Sequence, residues 1–592
     1  VPPRTITRLF LLLAVSILPV LGLAKISGSS EAREAHVAQV IVNTAEWVLP
    51  DRNGFVPSKP ILHHWLIASF SFLTNTVDEF SARLPSALLG ILLIVLLYSF
   101  AQKLLQVLAP KDNSLALFAA LILCSSYGFF RMFFSSMVDL SFAFFCCLAM
   151  LTGIKPLLLA LAKKQAQACL SRYDWILFFV FCGLATLAKG PLGFVLPCLF
   201  LGVFYCSSYG IKAALSECLR PKIAWIFFIL IACPWYVLAY FKAESAFLER
   251  QLFFENFQRF FGGENVNSEP FWFYLPSLLS RMAPWSFVLI VALIVFAKSK
   301  KELALQPQIK IIKALGLSLL ACLALFSFSA GKRHSYLLPL FPVFTLLLII
   351  LINFIRASET IAQPSKLIFT VQNYLKKQTF SMFFFGLARY LSLLMLACLL
   401  LLSLFFLISK PEQLELIISS DFILGNFLRL AFAPVLALSI LCYCRRVHAL
   451  SQKKSARPDL ALSSLFLFCA TFSSLIASIN GIKGEFRNYP QMAADMLKQA
   501  GPVQIVAVRN KYDELLDPIF FYLAKPVKVY AENEISSVCD GTDRLLLIRK
   551  DVFLGLAEKD RFVEESYYQE LVGNPNSIKR RAISAVRCRD SG

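Results

Sequence analysis

The chain has 592 residues, of which 58% are hydrophobic and 16% charged, with a mean hydropathy of +0.66. That is too apolar for a water-soluble protein of this length and marks a polytopic membrane protein. The net charge of +21 does not signal a nucleic-acid partner. Its Lys and Arg residues sit in short loops between apolar runs, not on the face of a polar domain.

A bilayer core takes about twenty apolar residues per helix, which divides the chain into about thirteen spans. They begin near residues 7, 84, 113, 137, 173, 191, 222, 284, 312, 335, 387, 424 and 461. The first span has a basic start, Arg4 and Arg8, but no convincing small-residue cleavage site, and Lys25 follows it; it reads as a retained helix. Taking the N-terminus as cytoplasmic, one set of loops collects Lys103, Lys111, Lys163, Lys164, Arg172, Lys212, Arg220, Lys298, Lys300, Lys301, Arg445 and Arg446 with few acids. The opposite loops, 24–83 and 242–283, hold acids and bases in near balance, as expected of periplasmic loops under the positive-inside rule. Residues 356–386 read as a basic connector lying on the membrane surface.

These features predict a transmembrane domain over 1–480 and a polar domain over 481–592 on the periplasmic side. In the latter, VQIVAV (503–508), VKVYA (527–531) and RLLLIRK (544–550) have strand length, with helical patterns around Pro490–Gln499 and Asp517–Ala524. That alternation predicts a small α/β domain with a partly parallel sheet. It has no glycine-rich phosphate loop and is read as accessory. Of the sixteen cysteines only Cys539 and Cys588 fall in this domain, where a disulfide between them is compatible with an oxidising compartment. No Cys/His cluster has metal-ligand spacing.

The ionisable residues expected at the outer face come from remote parts of the chain: Glu31, Arg33, Glu34, Lys59, Arg131, Asp139, Lys189, Arg250, Arg259, Lys332, Arg333 and His334. Charges at that depth usually face a cavity. Several Lys and Arg with a few carboxylates suit a phosphate or pyrophosphate, and at a membrane surface that points to a lipid phosphate. Bland readings stand beside this one. Glu31 and Glu34 would also serve as first-turn acids behind a Ser29 or Ser30 cap, Arg33 as a salt-bridge partner, Lys59 as a snorkelling lysine, and Asp139 as the partner of Arg131. His36, His63 and His64 read as surface or packing residues. The aromatic groups Trp235–Tyr236, Trp272–Tyr274 and Trp285 read first as interface anchors. Lys189 and Lys332 each end an apolar helix on the side where lysine is disfavoured, which favours a functional role.

The segments SSEAREAHVAQV, WVLP, KPILHHWL, ARLPSAL, SSMVDLSFAFF, ATLAKGPLGFVLP, CPWYVLAY, FFENFQRFF, EPFWFYLP, APWS and GKRHSYLLPLFP together resemble the bacterial glycosyltransferase family 39 and 83 group. That group includes protein O-mannosyltransferase-like proteins and the aminoarabinose transferases of lipid A. The likeness runs in order through about residues 1–350. It implies a GT-C fold and a polyprenyl-phosphate-linked sugar donor used on the periplasmic side of the inner membrane. The implied acceptor is a lipid A-like glycolipid or a protein, with membrane lipids around the site. It further implies that the first-loop acid, Glu31, is catalytic or orients the acceptor, and that Lys59 and Arg259 hold the donor phosphate. Lys189, Lys332 and Arg333 match basic positions of the family pattern, and Arg131 joins them as a phosphate-side residue. The family commonly has an Asp-Glu pair where this chain has Ser30-Glu31, so Glu31 acts alone or with Asp139. A histidine often precedes the PFWFYLP motif where this chain has Asn267, Ser268 and Glu269. No cofactor is required on this reading, and a divalent metal is not demanded because Lys and Arg can neutralise the phosphate. The alternative from another class is a lipid or solute transporter or flippase lined by the same charges.

Overall fold

The computed structural model describes residues 3–72, 75–108, 114–218, 220–263, 269–299, 307–357, 387, 390–392, 457–509, 515–538, 542–556, 562–568 and 582–588. The chain opens with α1 (Pro3–Ile17), α2 (Ser29–Thr44), α3 (Leu62–Ser71) and α4 (Glu79–Leu108), then α5 (Ser114–Ser125), α6 (Tyr127–Phe130), α7 (Val138–Ala162) and α8 (Arg172–Lys189). It continues through α9 (Leu192–Tyr209), α10 (Ile211–Cys218), α11 (Ala224–Phe247), a π-helical stretch at Leu248–Gln258, α12 (Arg259–Phe261), α13 (Tyr274–Arg281), α14 (Trp285–Ser299), α15 (Pro307–Phe328) and α16 (Phe341–Ala357). After the undescribed stretch come α17 (Arg457–Arg487), α18 (Tyr489–Ala500), α19 (Asp517–Leu523) and α20 (Lys550–Gly555).

Among the described residues eight helices are long and apolar enough to cross a membrane, or up to ten if each of two bent pairs is one span. The spans expected near residues 387 and 424 lie almost wholly outside the described residues, as does the connector at 356–386. α8 takes the place of the span expected near 173, with charges at both ends, Arg172, Asp174 and Lys189. The molecule is a multi-pass membrane protein with a small sheet domain. Its bundle is built from α7 against α8 and α9, α8 against α11, and α15 against α9. The span His334–Arg356 is enclosed by its neighbours. α11 instead turns Ile226, Ile229, Leu230, Val237, Leu238 and Phe241 outward. An outward apolar face is costly in water and favourable against lipid.

The two polar loops are largely helical. α2 and α3 lie in 24–83, and the π-helical stretch, α12 and α13 occupy much of 242–283. α17 runs across the expected boundary at 480/481, and the sheet domain begins beyond it. Its sheet has the order β2-β1-β3-β5-β4, with β1 (Gln504–Val508), β2 (Lys528–Tyr530), β3 (Arg544–Arg549), β4 (Phe562–Tyr568) and β5 (Ile583–Cys588). β1 runs parallel to β2 and β3, whereas β5 is antiparallel to β3 and β4. Alternation along the strands splits their side chains between two cores. Ala507, Leu545 and Leu547 face α18 and α19, while Val506, Leu546 and Ile548 face Phe553 and Phe562. The three expected strands and two expected helices are present. β4 and β5 escaped the sequence reading because β4 is a charged edge strand (FVEESYY) without strict alternation.

This domain packs onto the first loop. Phe521 shares a core with Ile26, Ala32, Ala35, Ile67 and Ala82. Asp517 accepts from Arg52 Nη1 at 3.5 Å and Arg509 Nη1 at 2.9 Å, with all three side chains buried. Tyr522 Oη accepts from the Ile26 amide at 2.8 Å and donates to Glu79 at 3.0 Å. The first loop and the sheet domain therefore lie at the same end of the bundle. Cys588 is disulfide-bonded, and Cys539 lies outside the described residues.

Candidate functional site: a cation-rich cleft above the bundle

α2 starts at Ser29 with Gly28 at its N-cap and no side-chain cap, so neither Ser29 nor Ser30 performs the capping expected of it. The helix is wedged between the bundle and the sheet domain, and its charges turn inward: Arg33 and Glu34 are both 2% exposed. Two acids three residues apart on α2 then meet different partners. Glu31 Oε1 accepts from Arg83 Nε at 2.7 Å and from the Ser136 amide at 3.3 Å. Arg83 Nη1 also donates to the carbonyls of Leu21 and Ala24. Glu31 thereby ties the start of α2 to α4 and to the turn before α7. Glu34 accepts from Arg33 Nε at 2.9 Å, and its Oε2 lies 2.6 Å from His64 Nε2. Burial alone would raise the Glu34 carboxyl, but Arg33 and His64 outweigh it and hold it well below the usual carboxylate range.

Lys59 reaches the same space from the loop before α3. Its Nζ pairs with Glu255 Oε2 of the π-helical stretch. Arg259 Nε approaches that oxygen at 3.1 Å and Arg250 Nη2 approaches Oε1 at 3.4 Å, so one carboxylate gathers three cations. Gln251 Nε2 donates to the Pro57 carbonyl at 2.5 Å and fixes the loop against this stretch. Burial pushes the Lys59 ammonium down to about 7; Glu255 opposes the shift, while Arg259 and Arg33 add to it. π-Helical turns widen the groove of a helix and often mark functional positions. This one begins just beyond a backbone break at Glu244, where φ is 42°.

The opposite wall comes from two helix ends. Asp139, in the first turn of α7, pairs with Lys189, the last residue of α8, an arrangement that both helix dipoles favour. Lys189 Nζ also lies 4.4 Å from the centre of the Tyr336 ring. Gly190 follows at φ 91°, and a Cβ there would come within 3.2 Å of Asn256 Oδ1; the glycine lets α8 end against the π-helical stretch. Together Arg33, Glu34, Lys59, Asp139, Lys189, Arg259, Arg333 and Tyr336 line one cleft, with five cationic against two anionic side chains.

Of the expected site residues, Lys59, Arg259, Lys189, Arg333 and Asp139 meet at this cleft. Glu31, held by Arg83 and Ser136, is not among the residues that line it, and the carboxylate of α2 that does line it is Glu34. Asp139 pairs with Lys189, not Arg131, because α7 presents its first turn to the end of α8. Arg131 is exposed, over the ring of Tyr127, and is not among the lining residues. Lys332 Nζ donates to the Glu269 carbonyl at 2.8 Å. His36, His63 and His64 are buried. His63 Nδ1 lies 2.8 Å from Ser141 Oγ, and burial pushes its imidazole down to about 4. His64 does more than pack, since it holds Glu34. Sequence reasoning missed Glu255, although its signal was present: Glu255 and Arg259 stand four apart in FFENFQRFF, a spacing that pairs side chains along a helix. Among the described residues no group of three or more His, Cys, Asp or Glu could hold a metal ion.

Residues 58–237, which contain Lys59, Asp139 and Lys189, match the family of dolichyl-phosphate-mannose-protein mannosyltransferases. The chain is 28% identical over 325 residues to an undecaprenyl phosphate-alpha-4-amino-4-deoxy-L-arabinose arabinosyl transferase of Proteus mirabilis, covering 52% of each chain. It is 28% identical over 343 residues to the transferase of that name from Pseudomonas aeruginosa, covering 56% of this chain and 57% of the other. The matched region thus spans about half the length of these curated relatives. The whole chain superimposes on the crystal structure of ArnT from Cupriavidus metallidurans bound to undecaprenyl phosphate, with a TM-score of 0.64, 19% identity and 98% coverage of both chains. The chain is a multi-pass membrane protein of the GT-C glycosyltransferase fold, similar to the polyprenyl-phosphate arabinosyl transferases and the protein mannosyltransferases.

Proposed function

We propose that the chain is a glycosyltransferase that moves a sugar from a polyprenyl-phosphate donor to an envelope acceptor, a lipid A-like glycolipid or a protein. The observation that carries this reading is the convergence of Lys59, Arg250 and Arg259 on the single carboxylate of Glu255 at the cleft. Two buried cations and a half-buried one drawn to the same carboxylate make a site suited to a second anion, and the phosphate of the donor lipid supplies it. The positive-inside pattern supports a cytoplasmic N-terminus and a reaction on the periplasmic side of the inner membrane. The sheet domain shares the end of the bundle that carries the first loop, which supports its placement in the periplasm.

The reaction is an in-line displacement with inversion. The acceptor oxygen attacks the anomeric carbon, the bond from that carbon to the phosphate oxygen breaks, and the polyprenyl phosphate leaves with the electron pair. Lys59 and Arg259 stabilise the charge that develops on the leaving oxygen. A hydroxyl acceptor passes its proton to a carboxylate of the cleft, whereas a phosphate acceptor needs no deprotonation. Glu34 and Asp139 face the reacting space; Glu31 positions α2 through Arg83 and Ser136. No step calls on a metal ion.

The test is transfer of a radiolabelled sugar from a polyprenyl-phosphate donor by the full chain in proteoliposomes. Wild type should label a glycolipid or protein acceptor, and Lys59→Gln should lose roughly 10²–10³-fold in rate, the usual loss for one such donor. A protein that labels no acceptor while it moves lipid across the vesicle would overturn the reading.

A further inference from the structure

Two helix pairs are sharply bent, one within the span expected near residue 113 and one where the outer loop enters the span expected near 284. One bends by 66° between Leu115–Ser125 and Tyr127–Phe134, the other by 106° between Phe271–Arg281 and Trp285–Ala297. Irregular backbone at membrane depth persists where protein buries it or a cavity receives it, and breaks of this kind build ligand sites in other membrane folds. Here the two breaks are locked to each other. Trp285 Nε1 donates to Ser125 Oγ at 2.7 Å. Gly128 approaches the second break so closely that a Cβ there would lie 2.7 Å from Arg281 Cβ.

Each break carries one arginine, and both guanidinium groups lie beside the same ring. Arg131 Cζ is 5.8 Å and Arg281 Cζ 5.9 Å from the centre of Tyr127, itself 45% exposed. Arg281 feels the charge of Arg131, and like charges within reach of each other are relieved by an anion between them. Among the described residues neither forms an ion pair with a carboxylate; the nearby acid is Glu269, felt by His334. Neither arginine lines the donor cleft.

We propose that Arg131 and Arg281, flanking Tyr127, form a second anion site that takes a phosphate group of the acceptor lipid. Two planar guanidinium forks match the oxygens of a phosphomonoester, and the exposed phenol adds a hydroxyl donor. The segment Gly331–Tyr336 sets the distance between the two sites. Arg333 and Tyr336 face the donor cleft. His334, between them, stacks on Phe273 with ring centres 4.7 Å apart and lies 2.6 Å from Ser277 Oγ, on the helix that ends at Arg281. A phosphate at the arginine pair therefore anchors its lipid beside the donor sugar. Only the word acceptor rests on the transferase reading; anion binding is measurable without turnover.

The experiment uses the full chain in phosphatidylcholine nanodiscs and native mass spectrometry. The probes are a phosphorylated glucosamine lipid, its dephosphorylated counterpart, phosphatidylglycerol and a polyprenyl phosphate. Wild type should prefer the phosphorylated glycolipid over its dephosphorylated form roughly tenfold or more, as charge-assisted contacts would give. The double variant Arg131→Gln/Arg281→Gln should lose that preference and keep polyprenyl-phosphate binding. Arg131→Lys/Arg281→Lys should retain most of it, and Lys59→Gln should show the converse pattern. The proposal is overturned if the Gln pair keeps the preference, if it loses polyprenyl phosphate equally, or if phosphatidylglycerol binds as well as the phosphorylated glycolipid. A wild type that shows the arginine-dependent preference yet transfers no sugar would sink the transferase reading and leave the anion site standing.

Discussion

At the scale of single residues, the division of labour on α2 is the main point. Glu31 and Glu34 differ by three positions, less than one helical turn, yet one is bound to Arg83 and is not among the lining residues, while the other lines the cleft. Glu34→Gln should therefore lower sugar transfer more than Glu31→Gln when both proteins are equally folded. Transfer assays at matched thermal stability check this, and the reverse order would make Glu31 the acid that meets substrate. Lys59 brings a pH dependence. Burial pushes its ammonium down to about 7, so the lipid-free protein loses this charge as pH rises through that value. A sugar-linked polyprenyl phosphate is a diester whose charge does not change there. Donor affinity should be at its full value below about pH 7 and fall above it, by up to about 1.4 kcal/mol per unit, until the bound-state limit is reached. Lys59→Arg, which stays protonated, should flatten the profile; an unchanged slope in that variant would assign the titration elsewhere.

At the scale of elements, the π-helical stretch Leu248–Gln258 shapes the cleft. It carries Glu255, the internal counterion, and Arg250 and Gln251, and it is succeeded by Arg259. An incoming phosphate must share or replace Glu255. Glu255→Gln removes that counterion and leaves Lys59, Arg250 and Arg259 facing one another, which should destabilise the lipid-free protein by about 3–5 kcal/mol. Polyprenyl phosphate should then raise the melting temperature of the variant more than that of wild type, since the ligand supplies the missing negative charge. Equal shifts in the two proteins would show that Glu255 and the phosphate do not compete. The Arg52–Asp517–Arg509 cluster acts at the same scale, linking the first loop to α19. Its acid is fully buried, so Asp517→Ala takes a buried ion-pair partner from both guanidinium groups.

At the scale of the whole molecule, the sheet domain is a clamp on the helix that shapes the cleft. Phe521 completes the core under α2 and Tyr522 holds Ile26 and Glu79, next to the Ser27 carbonyl that Arg487 reaches from the end of α17. A chain truncated before Tyr489 exposes that core. Its first loop should be cleaved by protease in the 45–60 segment, and its donor binding should weaken, while the bundle stays inserted. Full protease resistance after truncation would remove the clamp role. The orientation of both ends is checked by labelling engineered surface cysteines from outside intact spheroplasts.

Much of this was legible from order and composition alone. Long apolar runs specify membrane spans because the bilayer leaves few other solutions for the backbone, and alternating runs such as VQIVAV and RLLLIRK specify strands because side chains alternate across a sheet. The set of charges at one end of the bundle, and the fold they belong to, also followed from the sequence. Which charge meets which did not, because pairing depends on how helices from remote parts of the chain approach one another. Only tertiary packing turned Glu31 toward Arg83 and Glu34 into the cleft, gave Asp139 to Lys189 instead of Arg131, and brought Glu255 to Lys59 across nearly two hundred residues.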